Sequence, residues 1–490
     1  MKGKHLILSI AVSMLLGSCG QKEAVETLIP ISEKALSDTS SRFYADFASY
    51  PAEVSKLPIG VFDSGTGGLT VQEKFLTLDE YDNVTGELKP DGIPDFAGED
   101  FVYLADDANM PYGDYDAAGK SDYLRELVVK DALFLMGDSY YNLAIVDRPY
   151  GSKPRVKIIV IACNTATAYG LGDIEKLLER SNTGVKVIGV INAGVRATLE
   201  GLDKKGNYSI GVMATPGTIS SGAYERTISQ MAKEQGFEGN ITVYNQPALG
   251  FANAVDGVED YVKPGLKKPR KGYRGPVIGK DEGCIDLSIM ERYNFDYNDG
   301  GVLYSIKNGI CDTVQINSAA NYARFHLVSL VEKHRKSGNK TPLTHIILGC
   351  THYPYLMDEL QETVTFLRHY KKDGEYIYKN LISKDLRFVD PAQYTAMECY
   401  NTLRKDGELA LRTEKSELLP FISIPAYALS TENLDANGDL SYDFKYGRIV
   451  GTEDLTTVVV PFSSRYIDEA TISRMERLVP ASYNMFKDRL

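Results

Sequence analysis

Two cysteines in this chain occupy matching surroundings. Residues 158–167 read Ile-Ile-Val-Ile-Ala-Cys163-Asn164-Thr165-Ala-Thr, and residues 345–354 read His-Ile-Ile-Leu-Gly-Cys350-Thr351-His352-Tyr-Pro. Each apolar run passes through one small residue into Cys and then into hydrogen-bonding side chains. Runs of β-branched and aliphatic residues suit a strand buried on both faces, as in parallel sheets. Each cysteine then falls at the carboxyl end of its strand, where open α/β sheets place their ligands. One thiolate can take a proton while one thiol gives a proton back. Two cysteines in equivalent places can therefore work on one small molecule from opposite sides.

The elements that would position them also echo one another. Ile59-Gly60-Val61-Phe-Asp63-Ser64-Gly65-Thr66-Gly67-Gly68 precedes the first cysteine, and Ile210-Gly211-Val212-Met-Ala-Thr215-Pro-Gly217-Thr218 precedes the second. The order is the same both times: an Ile-Gly-Val strand, a glycine-containing turn, a long interval, a strand and Cys. This predicts two related α/β halves. A chain of 490 residues is also too long for one ordinary core. Strands are expected at 58–62, 101–105, 156–162, 186–191, 208–213, 241–244, 344–348 and 386–389. Helices are expected at 121–136, 170–181, 220–236 and 314–337. The alternation predicts an α/β fold of two pseudo-symmetric domains. Each has a mostly parallel sheet flanked by helices.

Hydrophobic content of 43% and charged content of 24% describe a globular chain. A net charge of −12 argues against nucleic acid as a partner. The N-terminus reads as a targeting segment. Lys2 and Lys4 precede the apolar stretch Leu6 to Leu16, then Gly17-Ser18-Cys19. The h-region is too short for a stable bilayer span, and small residues before a cysteine suit a bacterial lipobox. Residues 1–18 are thus expected to be a lipoprotein signal, Cys19 the acylated residue, and 19–57 a tether. That places the protein in the bacterial cell envelope, facing the periplasm or the cell surface. The other cysteines are Cys163, Cys284, Cys311, Cys350 and Cys399, an odd number with no disulfide spacing. No CxxC or Cys/His cluster suggests a metal. Cys284, Cys311 and Cys399 read as structural.

Three stretches look inserted: 79–100, 137–154 and 258–300. The basic run at 267–274 reads as a solvated loop. Asp435-Ala-Asn437-Gly-Asp439 starts like a calcium loop but lacks its later ligands, so a turn is expected. The glycine-rich turn at 63–68 fits neither G-x-G-x-x-G nor a P-loop, and Asp63 there would repel a phosphate.

Seven segments in order resemble the glutamate racemases of the aspartate/glutamate racemase family. They are IGVFDSGTGGLTV from Ile59, YLADDANMPYG (103–113), VIACNTATA (160–168), VIGVI (187–191), IGVMATPGTISSGAY (210–224), ILGCTHYPYL (347–356) and VDPA (389–392). The resemblance covers roughly 58–400. It implies an active site in the cleft between the two domains, and racemisation without a cofactor by two cysteine bases on opposite faces of an α-carbon. Cys163 and Cys350 are the implied bases, assisted by Asp63 and His352. Asp63, Ser64, Tyr112, Gly113, Asn164, Thr165, Thr351 and His352 match the substrate-binding positions, with Thr215 and Thr218 toward the distal carboxylate. The substrate implied is an acidic amino acid, glutamate first and aspartate next.

The chain departs from the pattern at Asn245-Gln246-Pro247, where many members have Cys-Pro. Asp256 is the nearest acidic residue and is displaced. The expected domains are 58–192, completed by 386–490, and 193–385. Expected partners are an amino-acid substrate and a membrane through the lipid anchor, and a homodimer is compatible with the sequence. A lipoprotein that binds an amino acid or muropeptide without turnover is the alternative.

Overall fold

The computed structural model describes residues 27–141, 151–410, 415–453 and 455–490. Cys19 and the export signal lie outside the described residues.

Two sheets carry the fold. The first has six strands in the order Thr457–Pro461, Leu418–Pro425, Phe101–Ala105, Ile59–Asp63, Ile158–Ile161 and Lys186–Gly189. All neighbours run parallel except the outer pair Leu418–Pro425 and Thr457–Pro461. The second has four parallel strands in the order Ile382–Val389, Leu343–Gly349, Tyr208–Ala214 and Ile241–Pro247.

Both strand orders reverse at the same place. The chain leaves Ile59–Asp63, makes Phe101–Ala105 on one side, and returns to make Ile158–Ile161 on the other. It does the same around Tyr208–Ala214, with Ile241–Pro247 on one side and Leu343–Gly349 on the other. Connections leaving in opposite directions open a crevice at the strand carboxyl ends. Cys163 and Cys350 stand at these two crevices.

The strands form here because alternate side chains are buried on both faces. Ile59 and Val61 join one core with Phe101, Ile158 and Val160; Phe62, Val102 and Ile159 join the core on the other face. The second sheet repeats this, with Ile346 and Leu348 on one face and Ile347 with Ile210 and Val212 on the other. Each such side chain contributes about 1.5–3 kcal/mol on burial.

Several boundaries differ from the sequence expectation. Residues 386–389 pair with Leu343–Gly349, so they complete the second sheet rather than the first. The strand expected over 186–191 ends at Gly189, where helix Val190–Leu199 begins. The helix expected from 170 starts at Asn164. The one expected from 314 starts at Ala319, capped by the Ser318 hydroxyl. The alternating residues just before it form the hairpin Val302–Lys307 with Ile310–Ile316. The tether expectation fails over its described part. Helix Pro30–Ser37 buries Ile31 and Ala35 in the first unit's core, and Lys34 pairs with Glu453 at 2.7 Å.

The 258–300 stretch is irregular, as its Gly and Asp content suggests. It is not a mere excursion, because Ile285, Ile289, Tyr293 and Phe295 enter the second core. In the turn at 435–439 the Asp435 side chain accepts from the amides of Asn437 and Asp439.

Candidate active site

Cys163 and Cys350 line one cavity of about 190 Å³ between the two sheets. Asp63, Ser64, Tyr112, Gly113, Asn164, Thr165, Thr215, Thr351 and His352 line it with them. The structure therefore brings together every expected site residue among the described ones except Thr218. Thr218 is 1% exposed and stands behind Thr215, with their hydroxyls 3.0 Å apart. Both hydroxyls also meet Thr165 of the first unit, at 3.1 and 3.4 Å. Three hydroxyls thus join the two units at the cavity floor.

Cys163 ends its strand and caps the next helix, its sulfur accepting from the Ala166 amide at 3.4 Å. The Ser64 hydroxyl lies 3.8 Å from the same sulfur. Burial, reinforced by the Asp63 carboxylate, pushes the Cys163 thiol well above the ordinary thiol range. Asp63 accepts from the Ser64 amide at 2.8 Å. Burial raises its carboxyl, and His352 works against that rise.

The second thiol has a different escort. His352 Nδ1 stands 3.5 Å from Cys350 Sγ, and its Nε2 stands 3.1 Å from an Asp256 oxygen. Burial opposes charge on the imidazole, but Asp256 and the Cys350 sulfur raise it well above the usual 6.5. Burial likewise opposes charge on Asp256, yet His352 and Arg474 hold its carboxyl below the ordinary value. The sulfur of Cys350 therefore faces an imidazolium, whereas that of Cys163 faces a carboxylate.

This ion pair gives stability a pH dependence of fixed sign. A raised histidine contributes fully below its unfolded value of about 6.5 and loses that contribution as pH climbs through the folded value. A depressed aspartate contributes above about 3.9 and loses it as pH falls further. The melting-temperature gap between the native protein and Asp256→Asn should be widest between these limits and narrow at alkaline pH. A gap that widens with rising pH contradicts the pairing.

Tyr112 lines the cavity, but its hydroxyl is engaged within the first unit. The residue is 1% exposed, and its hydroxyl sits 2.5 Å from Asp106 and 2.8 Å from Asp131. Burial and then repulsion from Asp106 push the Asp131 carboxyl well up, so it keeps the proton that satisfies one of these bonds. What Tyr112 offers the cavity is backbone and ring. The Asn164 carbonyl is also engaged, accepting from the Tyr224 hydroxyl at 2.6 Å.

Sequence reasoning found Asp256 only as a displaced candidate and missed Arg474, Val258 and Tyr261. The latter two line the cavity from the start of the inserted stretch.

No protein-family model matches the chain. A glutamate racemase from Aquifex pyrophilus is 33% identical over 266 residues, which cover 50% of this chain and 85% of that protein. The chain belongs to the glutamate racemase family. It is accordingly an isomerase of the amino-acid racemase class. A racemase of the family from Clostridium novyi is 24% identical over 372 residues, 76% of this chain and 93% of that protein. The solved glutamate racemase isoform from Bacillus anthracis is 21% identical, with a TM-score of 0.43 over 75% of this chain and 89% of that one. Against these racemases the present chain is long, and half of it lies outside the Aquifex alignment.

Proposed function

We propose that the cavity racemises a free acidic amino acid, glutamate first and aspartate next, without a cofactor. The observation that carries this is the convergence of Cys163 and Cys350 on one cavity from equivalent strand ends. Inverting an α-carbon requires a base on one face and an acid on the other. Cys163, buried beside Asp63, is held as the thiol. Cys350 has His352 Nδ1 3.5 Å from its sulfur. In one direction Cys350 takes the α-proton and Cys163 delivers its own to the opposite face. The proton count closes, since one thiolate becomes a thiol and one thiol becomes a thiolate. The reverse direction returns the pair to its starting state.

Hydroxyls and amides at Ser64, Asn164, Thr165, Thr215 and Thr351 suit the substrate's carboxylate and ammonium groups. Incubation with L-glutamate in deuterium oxide should move deuterium into the α-position and erase the circular dichroism signal. Absence of exchange with glutamate and aspartate alike would sink the proposal.

The sequence reading of residues 1–19 adds a proposed location in the bacterial envelope, through acylation of Cys19. Labelled fatty acid should enter the expressed protein and should not enter Cys19→Ala. Equal labelling of both, or of neither, contradicts the anchor.

A further inference from the structure

The helix Glu469–Leu478 belongs to the first unit by its packing. Met475 and Val479 are buried in that unit's core. The helix that follows, Pro480–Phe486, is seated on Glu73, whose carboxylate accepts from the amides of Ala481 and Ser482 at 2.8 and 2.7 Å. Glu73 lies on helix Leu69–Thr77, directly after the glycine turn that begins at Gly65. From this base Arg474 crosses to the second unit. Its guanidinium donates to the Asp256 carbonyl at 3.0 Å and meets the Asp256 carboxylate at 3.1 Å.

We propose that Arg474 is a positioning residue: it fixes Asp256 to the first unit, and so keeps Asp256 on His352 and His352 on Cys350. The inference rests on the racemase reading for its kinetic consequence alone.

The geometry separates this pair from an ordinary surface salt bridge, which contributes about 0–1 kcal/mol. Arg474 and Asp256 are only about a fifth exposed, at 21% and 20%. One guanidinium nitrogen holds both the backbone and the side chain of Asp256, which restrains the carboxylate in position as well as charge. Asp256 sits where a short helix, Phe251–Val255, ends, followed by Gly257 at φ +75°. Such a terminus has little rigidity of its own. The other Asp256 oxygen faces His352 Nε2. The charged or titratable groups around His352 are Asp63 from the first sheet, Cys350 and Tyr355 from its own loop, and Asp256. Arg474 is joined to this set through Asp256. Without Arg474 the carboxylate is free to leave, and the imidazolium loses its counter-ion.

The test compares Arg474→Met and Arg474→Lys with the full native chain. The His352 imidazole is titrated by NMR, and exchange kinetics are measured on the same proteins. His352 is one of six histidines, and its resonance is the one missing from His352→Gln. In the Met variant the His352 midpoint should fall by about one unit. Its kcat should fall about 10–100-fold while KM changes less than about threefold. Lysine keeps the charge and should restore most of both. An unchanged midpoint overturns the proposal. So does a raised midpoint, because Arg474 would then merely dilute the charge of Asp256. Lower melting temperatures in both variants with a native midpoint would reduce Arg474 to a structural tie and also overturn it. Where the Met variant does not fold, the Lys variant decides by a smaller shift of the same sign. Should the native protein show no exchange at all, the racemase reading fails, and the NMR titration still judges Arg474.

Discussion

Cys163→Ser and Cys350→Ser should each lose racemisation by about 10²–10⁴-fold, the usual scale of one acid/base group. A serine hydroxyl ionises far less readily than a thiol. The informative result lies in what remains. A variant with one thiol can still exchange the α-proton of the enantiomer that presents that proton to it. It cannot return a proton to the other face. The two variants should therefore exchange opposite enantiomers, each without inversion. Deuterium incorporation into each enantiomer, read by mass spectrometry after chiral separation, checks this. Retained racemisation in either variant, or exchange of the same enantiomer by both, rules out a relay with one thiol on each face.

Gly67→Ala should be nearly as damaging, although Gly67 carries no chemistry. A Cβ built there would stand 2.4 Å from His352 Cε1 and 2.9 Å from Nε2. His352 has no spare direction, because both ring nitrogens are engaged, one by Cys350 and one by Asp256. The methyl must displace the ring or push the two units apart. Overpacking of this kind costs about 1–3 kcal/mol, and a misplacement near 1 Å costs about 10²-fold in rate. Gly172→Ala is the control, since its Cβ meets nothing within 4 Å on helix Asn164–Ser181. It should leave activity alone and change stability by less than about 1 kcal/mol. Chemical denaturation and exchange kinetics on both variants test the contrast.

The site was legible where its signals are local. The two strand–Cys motifs declare themselves through apolar runs ending in polar residues, and His352 stands two residues from Cys350. The presence of two related α/β halves follows from the echo at Ile59 and Ile210. Contacts made across long intervals left no mark. Arg474 is 218 positions from Asp256, and no spacing rule links them. The start of helix Asn164–Ser181 was missed because its cap is a cysteine sulfur rather than a hydroxyl or carboxylate. Tyr112 lines the cavity as its motif suggests, but its hydroxyl is held by Asp106 and Asp131, which no local spacing discloses. The polar composition of 20–57 suggested a tether, but Ile31 and Ala35 are four apart and share one helical face. That small stripe is enough to dock Pro30–Ser37.

Arg474, through Asp256, and the three threonine hydroxyls tie the two units together beside one cleft. Any parting of the sheets along that cleft draws Cys163 away from Cys350. It also strips Asp256 from Arg474 and lifts His352 off Gly67. An open molecule is therefore a disarmed one.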